Sequence, residues 1–252
     1  MDSLLVAALV FVCLFGGALL GMWSARKLKE DHLSKETQEA VKLGVGMVAA
    51  MSSLILGLMT ASVKGNFDTT AKDVQQYATY LITLDAALRH FGPEADGARA
   101  ALTDYTRNAL QETWPEPGSP AHVASDASEL KLMRVGTMLR QLQPATADQT
   151  ELKSEALDRY RSLSALRWVL IEESAAQVPP IFIVVLIVWL TFIFMSFGLF
   201  SPINTVSVVV FLLCALSLGG ALFLILEMST PFAGIIVVPP DGMQKALAHM
   251  VQ

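Results

Sequence analysis

The stretch MVAAMSSLILGLMTASVKGNFD, residues 47–68, has no charge before Lys64 and is apolar enough for a membrane span. It also holds Ser52, Ser53, Gly57, Thr60, Ala61 and Ser62, where Leu or Ile would suit lipid better. Ala49, Ser53, Gly57 and Ala61 recur every four residues, with Gly46 and Ala50 a turn earlier. Small residues at this spacing let helices approach closely, the main packing device in lipid. Two readings stay open. The face packs on the first or fourth apolar helix of its own subunit, or Ser53, Thr60 and Lys64 line a water-filled path on an oligomer axis.

Outward from this stretch, the 252-residue chain has a mean hydropathy of +0.50, well above that of soluble domains. Ser3–Ala25 and Leu43–Val63 are uncharged, and no charge falls between Ser174 and Leu226, a run divided by SPIN at Ser201–Asn204. About 20 apolar residues cross a bilayer as helix, which predicts spans near 3–25, 43–63, 178–200 and 205–227. The expected class is an all-α membrane protein with four transmembrane helices and a helical bundle inserted between the second and third. A cleaved signal peptide is disfavoured, because MDSLL carries no cation and the charges follow the apolar run in ARKLKEDHLSK. Cys13 and Cys214 both fall within spans and read as small packing residues rather than a disulfide. With a formal net charge of −5 and no basic patch, nucleic acid is not a partner.

The expected organisation is residues 1–63 for the first two spans, 64–173 for the bundle, 174–228 for the last two spans and 229–252 for a tail. Within the insert, Phe67, Thr70, Val74, Tyr77, Leu81, Leu84, Leu88 and Phe91 alternate spacings of three and four, the mark of a buried helical seam. Gly92-Pro93 ends that helix, and the next carries Ala98, Leu102, Tyr105, Ala109 and Leu110 up to the break at WPEPGSP. A third helix over about 126–142 is expected to turn Leu130, Met133, Met138 and Leu142 inward. A fourth starts at a capping box of Thr146 and Gln149 and carries Leu152, Ala156, Leu163, Leu166 and Leu170. Nothing breaks the helix between Val63 and Lys64, so the second span is expected to run on into the bundle. Val178-Pro179-Pro180 is the expected break on the return path. In the tail, IIVV reads as extended, and Met243, Ala246, Leu247 and Met250 as a short amphipathic helix.

Enzyme signatures are absent. His32, His90, His122 and His249 are scattered, and there is no HExxH, GxSxG, Walker loop or GxGxxG, so no catalytic residue, metal or cofactor is assigned. Glu227 closes the last apolar run four residues before Pro231, on a face shared with Cys214, Ser217, Gly220 and Ala221. An even number of crossings separates Lys64 from Glu227, which puts both at one interface. They form an ion pair there, or each reaches water separately. Arg26, Lys27, Lys29, Lys35 and Lys42 crowd the first connector, which places that connector in the cytoplasm and the bundle outside.

Two spans with a charged loop, a helical insert and two spans closing on GGALFLILEMSTPFAGIIVVPP together resemble an uncharacterised family of bacterial membrane proteins called bestrophin-like. Leu226-Glu227 followed by Pro231-Phe232-x-Gly234 is the most telling piece, and SVKGNFDTTAKDVQQYATYLITLDAALRHFGPEA resembles the family's segment after the second span. Kinship to bestrophins implies a homo-oligomeric anion channel with its second helix lining the pore, in the bacterial inner membrane. It implies a cytosolic helical part, opposite to the cation count. Span two, however, has no aromatic residue between Leu43 and Val63 to match the bestrophin pore. The expected function is an ion channel whose path is lined by helix 2, through Ala49, Ser53, Gly57, Thr60 and Ala61. The alternative is a non-conducting scaffold or sensor whose bundle binds a partner. The lipid bilayer is a partner in both.

Overall fold

The computed structural model describes residues 3–28, 34–115, 121–123, 125–175 and 178–251. Lys29, His32 and the EPGSP part of the Pro-rich break, 116–120, lie outside these residues. The described chain is all-α. In order come α1 (Ser3–Ala25), α2 (Lys35–Phe91), a 3₁₀ turn at Pro93–Ala95, α3 (Asp96–Thr113), α4 (Asp126–Gln141), α5 (Ala147–Ala175), α6 (Pro180–Phe200), α7 (Thr205–Met228) and α8 (Asp241–Val251). Four helical segments are long and apolar enough to cross a membrane: α1, the first part of α2, α6 and α7. The chain divides into two compact units, residues 1–65 with 177–229, and residues 66–176 with 230–252.

In the first unit, α1 packs against α6 and α7. The contacts are made at glycines. Gly17 lies under Thr191, where an added Cβ would sit 3.0 Å from Cγ2 and 3.1 Å from the backbone oxygen. A Cβ on Gly21 would overlap the Met195 carbonyl, and one on Gly198 the Ala18 carbonyl. Gly219 of α7 lies against Ala7 and Phe11. Close packing of backbones thus takes the place of large side chains, and Val10, Leu14, Leu186 and Leu222 fill the space on either side. The SPIN turn starts α7, with Asn204 Oδ1 accepting from the Ser207 amide at 2.8 Å. α6 begins at Pro180, where a missing N–H costs nothing.

The second unit is a helical bundle around Tyr77, Leu81, Leu84, Leu88, Leu102, Val135, Leu139 and Leu163. The seam from Thr70 to Phe91 is buried at every expected position, and Phe67 packs at its edge. Gly92, at φ 116°, takes a backbone conformation that L side chains avoid and ends α2. Gln149 joins two helix ends. Its backbone amide donates to the capping Thr146 Oγ1 at 3.1 Å, and its Nε2 donates to the Phe91 carbonyl at 2.9 Å, one of the acceptors left over at the end of α2. The α4 face agrees with expectation at Leu142, which is buried, and at Met138, which packs on the core, and differs at the other two positions. Leu130 and Met133 are exposed, and Leu132, Val135 and Leu139 point inward. Apolar residues occupy two stripes of α4, and the stripe continuous with the Ser125 cap and with Gly136, which lies against the Tyr160 ring, is the one that packs.

The tail belongs to the second unit. Residues 229–236 form turns and bends rather than an extended strand. The Val238 amide donates to the Pro231 carbonyl at 2.8 Å, and Trp114 Nε1 donates to the Val238 carbonyl at 2.7 Å. Phe232 meets Trp114 edge-on at 5.7 Å, and α8 buries Met243, Ala246 and Met250.

Gly198→Ala should cost about 1–3 kcal/mol in thermal unfolding of the detergent-solubilised protein, since the new methyl meets backbone that cannot yield. An unchanged melting temperature would show that the α1–α6 contact is looser than described.

Candidate functional site

The first part of α2 is three-sided. At about 100° per residue, Val45, Ser52 and Val63 fall on one stripe, buried in the first unit, with Ile55, Leu56 and Met59 beside it. Met47, Met51, Leu54 and Leu58 form a second, exposed stripe of large apolar side chains. Gly46, Ala50, Ser53, Gly57, Thr60, Ala61 and Lys64 form the third, which is small, hydroxyl-bearing and exposed along its length. Ala49 is half-buried and turns toward the first stripe. Nothing lies within 4 Å of a Cβ built on Gly57, Gly46 or Gly65. The close approaches between helices of one subunit are made by Gly17, Gly21, Gly198 and Gly219 instead.

Coverage follows the same division. Inside the subunit, 11% of the apolar stretch of α2 is buried, against 33% for α1 and 28% for α7, so α2 is the helix whose sides are left for something else. Thr60 Oγ1 donates to the Leu56 carbonyl at 2.8 Å, which lets the exposed hydroxyl tolerate an apolar neighbour. Ser52, on the core stripe, is buried with no hydrogen-bond partner for Oγ among the described residues.

On α7, Cys214, Ser217 and Gly220 are exposed, whereas Glu227 is buried at 4% exposure in the last turn. Lys64 is exposed at the end of the small stripe.

The second unit holds buried charges that a count of solvated helical faces misses. Asp85, fully buried within the α2 seam, accepts from Arg99 Nε at 3.1 Å and from Arg89 Nη2 at 3.2 Å. Arg89 also donates to the His249 carbonyl, so one carboxylate ties together α2, α3 and α8. Arg167 of α5 is buried as well. The signal was present in both cases: Asp85 follows Leu84 in the seam, and Arg167 continues the stripe Ala156, Leu163, Leu170. At the end of α5, burial holds the Glu173 carboxyl above the ordinary range, with the Asp73 charge adding to the shift.

A family model for the bestrophin-like domain matches residues 12–243. In structure the chain is similar to a bacterial bestrophin homolog from Klebsiella pneumoniae, crystallised as a point variant. The identity is 14% and the TM-score 0.67, over 96% of this chain and 99% of that one. Among curated proteins none matches.

Proposed function

The chain belongs to the bestrophin-like family, and from that premise we propose that it is an oligomeric ion channel of the bacterial inner membrane whose path is lined by α2. In this reading α1, the apolar part of α2, α6 and α7 cross the bilayer, and the bundle is inserted between the second and third crossings. The observation that carries it is the three-sided α2. One stripe is already buried in its own subunit, and the stripe of Met47, Met51, Leu54 and Leu58 suits acyl chains. The third stripe, with Ser53, Gly57 and Thr60, offers lipid little contact and carries hydroxyls. It is therefore turned toward identical stripes of neighbouring subunits around an axis.

Purified protein in planar bilayers should carry current, and Gly57→Leu should reduce that current while leaving the fold of the isolated subunit intact, because Gly57 is exposed and a Cβ there has nothing within 4 Å in its own subunit. A silent wild-type protein that still assembles would favour the non-conducting scaffold reading.

Lys64 and Glu227 extend the proposal. A carboxylate as buried as Glu227 needs a charged or hydrogen-bonded partner. Lys64 leaves the apolar run of α2 at the same interface, and we assign it as that partner, within a subunit or across neighbours. Lys64→Glu and Glu227→Lys should each impair assembly, and the double exchange should recover part of the loss. No recovery removes the pair.

We further propose, from the five cations between Arg26 and Lys42, that the first connector is cytoplasmic and the bundle outside. With Cys13 and Cys214 replaced, an impermeant thiol reagent on intact cells should label Ser154→Cys and spare Thr37→Cys. The opposite pattern would reverse the orientation.

A further inference from the structure

The bundle unit contains a cavity of about 50 Å³ between α2, α3, α5 and the tail. Most of its wall is apolar, with Val74, Leu170, Trp114 and Phe232 contributing, and its polar side is made by Arg167, Tyr77 and Tyr105 together with the hydroxyls of Thr113 and Ser128. Arg167 is the unusual member. Its side chain is 6% exposed, yet its ion pair and backbone contact are long: Nη1 stands 3.7 Å from Glu129 Oε2, and Nη2 donates to the Ser125 carbonyl at 3.5 Å, while the Tyr105 hydroxyl also accepts from the guanidinium. Nε is buried without a partner among the described residues. A guanidinium offers five N–H donors, and a buried one is costly unless charge and hydrogen bonds are both met. Glu129 is 42% exposed, so it compensates the charge only in part. The other nearby acid, Glu112, is already taken by the hydroxyls of Ser125 and Ser128.

The two phenols complete the polar side. Tyr77 and Tyr105 share a hydrogen bond between their hydroxyls. Burial raises both above the ordinary phenol range, so both stay protonated at neutral pH. Two phenol protons and one shared bond leave one proton to give away.

We propose that this cavity is a binding site for a short-chain monocarboxylate, with the carboxylate held by Arg167 and the free phenol proton and the alkyl end against Phe232, Trp114 and Leu170. The planar fork of a guanidinium matches a carboxylate in geometry as well as charge. The volume admits roughly three waters, which corresponds to an acid of about two or three carbons and excludes nucleotides and peptides. Water alone would meet the hydrogen bonds and leave the charge only partly compensated. The site lies wholly within the second unit and does not rest on the channel reading. Because Trp114 and Phe232 join the α3 end to the tail, occupancy stabilises that junction.

The test uses the full-length protein in detergent, with sodium acetate titrated against sodium chloride at constant ionic strength. Saturation transfer to the acetate methyl, tryptophan emission and melting temperature are the readouts. Wild type should bind acetate saturably and melt higher in acetate than in chloride. Arg167→Met should weaken binding by at least about tenfold, the scale of a lost charge-assisted bond. Arg167→Lys should bind between the two, and Tyr105→Phe should weaken binding with the fold unchanged. Should Arg167→Met fail to fold, the Lys and Phe variants decide: acetate affinity equal to wild type in both overturns the site. Absence of saturable acetate binding to wild type overturns it as well.

Discussion

The backbone-to-backbone approach of α1 and α6 at Gly17, Gly21 and Gly198 is the constraint on which the rest of the first unit depends. With no Cβ between them, the two helices come close enough for carbonyls and chain atoms to make the contact. α7 meets α1 less closely at Gly219, where a Cβ would stand 3.4 Å from the Ala7 carbonyl oxygen. These three helices meet one another's needs for close packing, and α2 enters their core with only the Val45–Ser52–Val63 stripe. Two of its three sides are left over. Little of this apolar helix is buried within the subunit, and lipid together with other copies of the chain is what the proposed channel puts against its two open sides.

The small stripe of α2 differs from the glycine contacts in chemistry as well as position. Gly17, Gly21 and Gly198 carry no hydroxyl or charge and fit against the backbone of the facing helix. Ser53, Gly57, Thr60 and Lys64 grade from small to polar to charged toward one end of the span. A stripe meant only for lipid would not be built from these residues. The family and the channel reading meet at this stripe.

The fold was legible where one physical effect dominates. Uncharged runs of about 20 residues have few alternatives to an apolar helix, and α1, α6 and α7 lie over them. The Thr70–Phe91 seam was legible because only one face of that helix is apolar, and the Thr146–Gln149 cap because its donors are local. Long-range choices were not. Small residues mark α1, α2 and α7 alike, and nothing local says which of them close on a partner helix within the subunit and which stay open. On α4, Leu130 and Leu132 are equally apolar, and the choice between them is made by Tyr160 and the Ser125 cap, distant or small features. Asp85 and Arg167 look like solvated charges until the helices are packed around them. The small stripe of α2 was visible in the sequence, whereas its openness within one subunit follows only from the way α1 uses its glycines.

The central claim is that the small stripe of α2 lines an aqueous path and the Met–Leu stripe meets lipid. It is tested most directly by single cysteines along α2, in a background lacking Cys13 and Cys214, exposed to a water-soluble thiol reagent while current is recorded. The account predicts modification and block at Ser53→Cys, Gly57→Cys and Thr60→Cys, with no effect at Met51→Cys, Leu54→Cys and Leu58→Cys. Block at the second set and protection of the first, or equal reaction around the helix, would contradict it.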